Sequence, residues 1–401
     1  MTDLVFDPYD HVLQDDPYPT YQRLRDEAPL HHEAEQDFWV MSRHADVHAA
    51  VRSDGVYSNR MGVSLDTSAW NEHAHTTMSF LAMDPPQQTR LRKLVSKGFT
   101  PRRVADLEGQ IQQITDHYLE QCLEMGSVDW IGDLAGKVPM DVISEMVGVP
   151  EADRDEVRRL SDLLVYREPG MRDVTQEGME AAMTLFAYYA DLLEERKRRP
   201  ADDLTTALLA VEDDNDLMTD REIMAFLFLM VVAGNETTTK LLGNAVFHLT
   251  ADTTQRERVF ARPTDTSLVD AWIEETLRHD TSTQLLARLL DEDVTLHGVT
   301  APAGSRLLLC LGSANHDDRV FADADRFDLD RDPAELRQSL SFGGGRHFCL
   351  GANLARLEAR VVLRSLVSRS RTIEADHAGA VRFYSANVRG FKHLPVRLEA
   401  R

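Results

Sequence analysis

Ten residues, FGGGRHFCLG (Phe342–Gly351), restrict what this chain can fold into more than any other stretch. Gly343, Gly344 and Gly345 let the backbone turn tightly with its N–H groups directed inward. Behind them Leu350, Leu354, Leu357, Val361 and Leu363 recur at helical spacing, so a buried helix follows. The spacing predicts Cys349 at that helix's N-terminus, with Gly351 allowing close packing at its start. Free N–H groups and the positive end of the helix dipole stabilise a thiolate there. Arg346 and His347 add donors and positive charge.

A shielded, hydrogen-bonded, solitary thiolate suits one bond to one metal. Zinc needs three further ligands, and no C-x-x-C or H-x-x-x-H partner is present. A phosphate loop is a conceivable alternative, but the Lys-Ser/Thr that would follow the glycines is absent. The plain alternative is a buried structural cysteine, and the glycine turn with its basic residues argues against it. Cys122 and Cys310 are the other two cysteines, an odd and sparse set that builds no disulfide framework and points to a reducing compartment.

No linker, repeat or low-complexity tract divides the 401 residues, so residues 1–401 are read as a single domain. The net charge of −23 excludes a general nucleic-acid binder. The N-terminus has no basic region followed by an apolar core, and the longest apolar run, Ala225 to Gly234, is too short to span a bilayer. A cytoplasmic protein without a membrane anchor is expected. Helical periodicity covers Leu107–Gly126 and Met179–Lys197. Strands are expected at Phe38–Ser42, within Val294–Gly312 around a Pro-Ala-Gly turn, and as a final hairpin in ANVRGFKHLPVRLE. The fold class is mainly α with small β-sheets.

The motif F-x-x-G-x-[RH]-x-C-x-G, matched by Phe342, Gly345, His347, Cys349 and Gly351, resembles the haem-ligand signature of the cytochrome P-450 family. The resemblance implies the cytochrome P-450 fold, with haem b between a long central helix and the cysteine loop, and Cys349 as the thiolate on iron, favouring O–O cleavage. AGNETT (Ala233–Thr238) resembles the family's acid–alcohol motif. By that likeness Thr237 hydrogen-bonds oxygen at the haem and widens the helix into an oxygen pocket, and Glu236 feeds protons through water. Read from the residues alone, Gly234-Asn235 ends one helix and Asn235 caps the next. Glu275 and Arg278 fit the family's E-x-x-R, and FADADRFD supplies Arg326 as the third member of a buried structural cluster. Arg92, Arg288 and His347 are implied as partners of the haem propionates. Gln88 stands where many relatives have histidine; it still donates a hydrogen bond. Ala233, Phe342, Gly343 and Gly351 complete the implied haem contacts.

The chain thus resembles a soluble bacterial-type haem-thiolate monooxygenase that inserts one atom of O2 into a lipophilic small molecule, by hydroxylation or epoxidation. Candidate substrate contacts are Val63, Leu65, Trp70, Tyr166, Phe226, Met230, Ala233, Leu285 and Val388. Some segments resemble relatives acting on terpenoid, steroid or fatty chains. No flavin or nicotinamide fingerprint occurs, so electrons from NAD(P)H are expected through a separate ferredoxin, an acidic iron–sulfur protein, and its reductase. Arg90, Arg92, Lys93, Lys97, Arg102 and Arg103, with no acid among them, suggest a basic donor face. A peroxide-driven enzyme and a non-catalytic haem sensor or carrier are the alternatives.

Overall fold

The computed structural model describes residues 4–167, 171–213 and 216–401. Asp220–Ala251 forms one helix of 32 residues, ~48 Å long at 1.5 Å per residue. A capping box fixes its start: Thr219 accepts from the Glu222 N–H, and Glu222 accepts from the Thr219 N–H at 2.8 Å. Most of its side chains are buried, as befits a helix that threads the core. Trp130 and Trp272, both fully buried, clip onto it by donating to the carbonyls of Leu242 (3.1 Å) and Ala245 (2.8 Å). The helix passes through Gly234-Asn235 without ending, so the helix end expected there does not occur. Packing on both sides outweighs a single glycine, which costs only ~1 kcal/mol.

One apolar cluster joins the central helix to the helix Ala352–Arg369 that follows Cys349, through Leu242, Val246, Leu357 and Val361. A second joins its first half to Arg154–Val165 and Gln176–Arg198, through Leu227, Val231, Leu160 and Leu185. The predicted helix after Leu107 spans Glu108–Met125 and stops at Gly126, whose φ of 69° suits glycine.

The principal sheet has five strands in the order Leu30–Glu33, Phe38–Met41, Arg306–Cys310, Leu285–Leu290, Tyr57–Ser58. Leu308 faces Val40 in a parallel pair and Ala287 in an antiparallel one. The expected final hairpin is not formed. Gly390–His393 pairs with Val381–Phe383, while Pro395–Ala400 pairs with Ser370–Ala375 and Ser127–Asp129 in another sheet. Proline cannot donate to a ladder, and the chain changes sheet at Leu394-Pro395.

Candidate active site

The cysteine loop is held by its own backbone. The Cys349 N–H donates to the Phe342 carbonyl at 3.0 Å. Gly345 has φ of 58°, and a Cβ there would stand 2.5 Å from the Val51 carbonyl oxygen, so both conformation and space require glycine. The helix begins at Ala352, three residues later than expected for Cys349. Even so, the first free N–H groups serve the sulfur: Gly351 and Ala352 both donate to it. Nothing lies within 4 Å of a Cβ built on Gly351, so close protein packing is not that glycine's purpose. Burial pushes the Cys349 thiol up, while these donors, Arg92 and Arg356 pull it down. Burial instead raises Cys122 to about 11 and Cys310 to about 12, leaving both as inert thiols. Cys349 also has exposed surface, unlike the other two. Since its sulfur lies deep among protein atoms, that surface faces an internal recess.

Three cationic or donor side chains gather near the sulfur. Arg288 is 4% exposed, spends one N–H on the Ala287 carbonyl, and pairs with no carboxylate among the described residues. Burial lowers it to about 10. Arg92 donates to the Phe348 carbonyl at 2.6 Å, yet its Nη1 is buried without a partner. His347 Nδ1 is likewise buried and unpartnered; burial and the charge of Arg288 hold its pKa down at about 3. Uncompensated buried cations are costly unless an anion joins them. This donor set fits the two carboxylates of haem, as does a lone sulfur with two N–H donors. Among the described residues no group of three or more His, Cys, Asp or Glu could hold a metal ion. Gln88 is 1% exposed and donates to the Arg346 carbonyl at 2.9 Å, bracing the cysteine loop.

On the central helix, Ala233 is exposed and Thr237 half-buried amid buried neighbours, so this face borders open space. Thr237 Oγ1 donates to the Ala233 carbonyl at 2.8 Å, and Ser282 donates to the Thr237 carbonyl at 2.8 Å. Glu236 is buried and points elsewhere: its Oε2 lies 2.9 Å from Lys240 Nζ, and burial with the nearby Glu236 charge raises Asp162 to about 7. Asp162 and Lys240 were not legible as site residues. An acid in an amphipathic helix and a lysine after TTT look like solvated positions.

The expected Glu275–Arg278–Arg326 cluster is corrected in one member. Glu275 accepts twice from Arg278, at 2.7 and 2.9 Å, and twice from Arg331, at 3.0 and 3.1 Å. Arg326 turns its side chain outward, 64% exposed, and offers only its carbonyl, which accepts from Arg278 and Arg331. Arg278, Arg331 and the Asp328 N–H together fill both Glu275 oxygens.

The candidate substrate contacts divide. Phe226 has no exposed surface and is wedged between Phe80 and Phe99, so it is core and not pocket wall. Val63, Leu65, Met230 and Leu285 retain only slight exposure. Leu285 and Val388 line one cleft with Phe383 and Ala386. Tyr166 lies 6.3 Å from the Phe383 ring, and Trp70 packs half-buried against the cluster containing Leu65.

The basic segment is less available than its composition implies. Arg90 is bound by Asp216 and Glu222, and Asp213 takes both Lys93 and Lys97. These acids, Glu222 apart, sit on a short hairpin of Glu212–Asp213 with Asp216–Leu217. Arg346 pairs with Asp54.

Comparison with known proteins agrees with this geometry. The family described as Cytochrome P450 matches residues 22–377, and the chain belongs to it. Cytochrome P450 123 of Mycobacterium tuberculosis is 52% identical over 399 residues, covering 100% of this chain and 98% of that protein. CYP109Q5 from Chondromyces apiculatus has a TM-score of 0.87 at 34% identity, covering 99% of each chain. CYP109E1 from Bacillus megaterium, solved with testosterone, has a TM-score of 0.83 at 32% identity over 95% of this chain and 99% of that one. The protein is therefore a cytochrome P450 monooxygenase, an oxidoreductase of a family that carries haem on a cysteine thiolate. Among the described residues no helix is long and apolar enough to cross a membrane.

Proposed function

We propose that Cys349 would hold the iron of haem b through its thiolate, and that the enzyme inserts one atom of O2 into a lipophilic, steroid-sized small molecule. When bound, the haem supplies oxygen activation on its thiolate-ligated iron. Arg288, Arg92 and His347 would hold the propionates by charge-assisted hydrogen bonds, with Gln88 bracing the loop that carries His347. Phe342, Gly343 and Gly351 shape the cysteine side, and Ala233 leaves room on the opposite one. Thr237 holds a hydroxyl at the open face of the central helix, and Glu236 is the proton reservoir beside it. The 401 residues act as one domain in the cytoplasm.

The observation that carries this reading is the pairing of a sulfur fed by two backbone N–H groups with unpartnered buried nitrogens on Arg92 and His347 and with buried Arg288, which meets no carboxylate among the described residues. The steroid-sized substrate rests on the testosterone complex of CYP109E1. Electrons come from NAD(P)H through a ferredoxin and its reductase, docking beside Arg102 and Arg103 at the edge of the partly neutralised basic segment. Reduced protein with carbon monoxide is expected to show the red-shifted thiolate band, and Cys349→Ala to lose it. A band in the variant, or a histidine-type spectrum in the parent, overturns the assignment.

A further inference from the structure

A cleft of about 570 Å³ lies between the helix Tyr18–Glu27 and the turn of residues 318–326. It shares no residue with the donors gathered at Cys349. Gln22, Arg25 and Asp26, at i, i+3 and i+4 of that helix, line one wall. Arg25 is 4% exposed and forms no ion pair among the described residues. Its Nη1 donates to the Ser313 carbonyl and to Ser313 Oγ, each at 3.1 Å. Nε and Nη2, the forked edge of the guanidinium, have no hydrogen-bond partner among the described residues. Elsewhere in the chain that same edge grips a carboxylate: Glu275 for Arg278 and Glu274 for Arg356. The acids whose charge reaches Arg25 are Asp317, Asp325 and Asp26. All three are engaged by other groups. Asp317 accepts from the His44 N–H at 2.9 Å and from Arg319 at 3.1 Å, Asp325 from His316 Nδ1 at 2.8 Å, and Asp26 from Arg319 at 2.9 Å. A buried guanidinium with an idle fork is costly unless an oxyanion joins it.

The rim of the cleft has the opposite sign. Asp26, Asp318, Asp323 and Asp325 outnumber Arg25 and the exposed Arg326 there. Asp323 has no ion pair among the described residues, and Asp318 has only a 3.4 Å contact with Arg319. No group of three or more acids or histidines among the described residues could hold a metal ion, so the rim suits an organic cation. Inorganic phosphate, with its higher charge, meets this rim as a repulsive field. A carboxylate that carries its own ammonium does not.

We propose that this cleft binds a small amino-carboxylate: its acid group takes Nε and Nη2 of Arg25, and its ammonium lies among the aspartates of the rim. The two N–H groups fix the orientation of the acid, and the rim supplies the opposite charge at the other end, so a molecule with both charges is favoured over either half. Binding joins the helix Tyr18–Glu27 to the turn whose Ala324 and Arg326 carbonyls accept from Arg278.

The test is calorimetric titration of the haem-loaded protein at low salt with four probes: L-lysine, 1,5-diaminopentane, acetate and inorganic phosphate. L-Lysine should bind with a Kd on the order of 1 mM. Each of the others should bind about tenfold or more weakly, since none carries both charges. Arg25→Lys keeps the charge and a donor for Ser313 but has no fork. It should lose about tenfold or more in L-lysine affinity while taking up diaminopentane as the parent does. An L-lysine affinity unchanged in Arg25→Lys would overturn the proposal and leave Arg25 as a tie to Ser313. Diaminopentane binding as tightly as L-lysine would reduce the cleft to an acidic patch, and phosphate binding as tightly would make Arg25 a general oxyanion site. Either result overturns the proposal, as does a parent protein with no saturable uptake of L-lysine. If Arg25→Lys does not fold, the rim decides. The double variant Asp318→Asn with Asp323→Asn, at two exposed positions, should weaken L-lysine roughly fivefold, and an unmoved affinity overturns the proposal.

Discussion

Two groups of buried cationic and donor side chains stand in this molecule, and they are built to opposite rules. Around Glu275, Arg278 and Arg331 are saturated: both oxygens of the carboxylate and the carbonyls of Asn315, Ala322, Ala324 and Arg326 take their donors. Around Cys349, Arg288 has no carboxylate among the described residues, and Arg92 and His347 each keep a buried nitrogen unpartnered. The first group is complete as protein. The second is incomplete, because its anion comes from outside the chain. Burial and charge are common to both; what separates a structural cluster from a binding one is whether the donors are spent.

Substitutions should split along that line. Glu275→Ala leaves Arg278 buried without an anion and Arg331 with only Glu335, and is expected to cost about 3–5 kcal/mol, measured by denaturant unfolding of the haem-free and haem-loaded protein alike. Arg331→Ala should follow with a smaller loss in the same assay. Arg288→Leu should behave in the opposite sense. Haem-free protein should be no less stable, while haem dissociation to an acceptor globin should quicken about tenfold or more, since a hydrogen bond to a charged group is worth ~1.5–3 kcal/mol. Haem-free Arg288→Leu protein as weakened as Glu275→Ala would erase the distinction. Arg326→Ala should lie within about 0.5 kcal/mol of the parent; a large loss would restore it to the cluster.

A subtler check comes from pH. The Asp162 carboxyl binds its proton more tightly in the folded state than its ordinary value near 3.9, with about 7 in the fold. The folded state therefore holds more protons between those limits, and that contribution to stability is present below about pH 4 and lost as pH rises toward 7. Asp162→Asn should flatten this slope in thermal melts across that window; an identical slope would mean that the pair carries no extra proton.

The sequence made the cysteine loop readable because glycine conformation, sulfur and helix period all act locally. Phe342, Gly345 and Cys349 needed no distant partner to be recognised. The helices Glu108–Met125 and Gln176–Arg198 were legible for the same reason, the first closed by Gly126. What stayed hidden depends on chain crossings. Arg331 wins over Arg326 only because the backbone after Asp323 turns one side chain in and the other out. Leu394-Pro395 reads as the middle of a hairpin until two different sheets take its flanks. Phe226 looks like pocket wall until Phe80 and Phe99 close on it. Asp162 carries no signal at all, since its chemistry is made by Glu236, 74 positions downstream and on another helix.

The hairpin that holds Arg90, Lys93 and Lys97 has a consequence for electron delivery. An acidic partner nearing this helix must compete with Asp213 and Asp216 for the same cations, so dissolved ions act twice. They loosen the internal grip, freeing charge for the visitor, and they also shorten the reach of that charge to about 8–10 Å at ordinary ionic strength. Reduction by such a partner would then be fastest at intermediate salt, with a slow limb on either side.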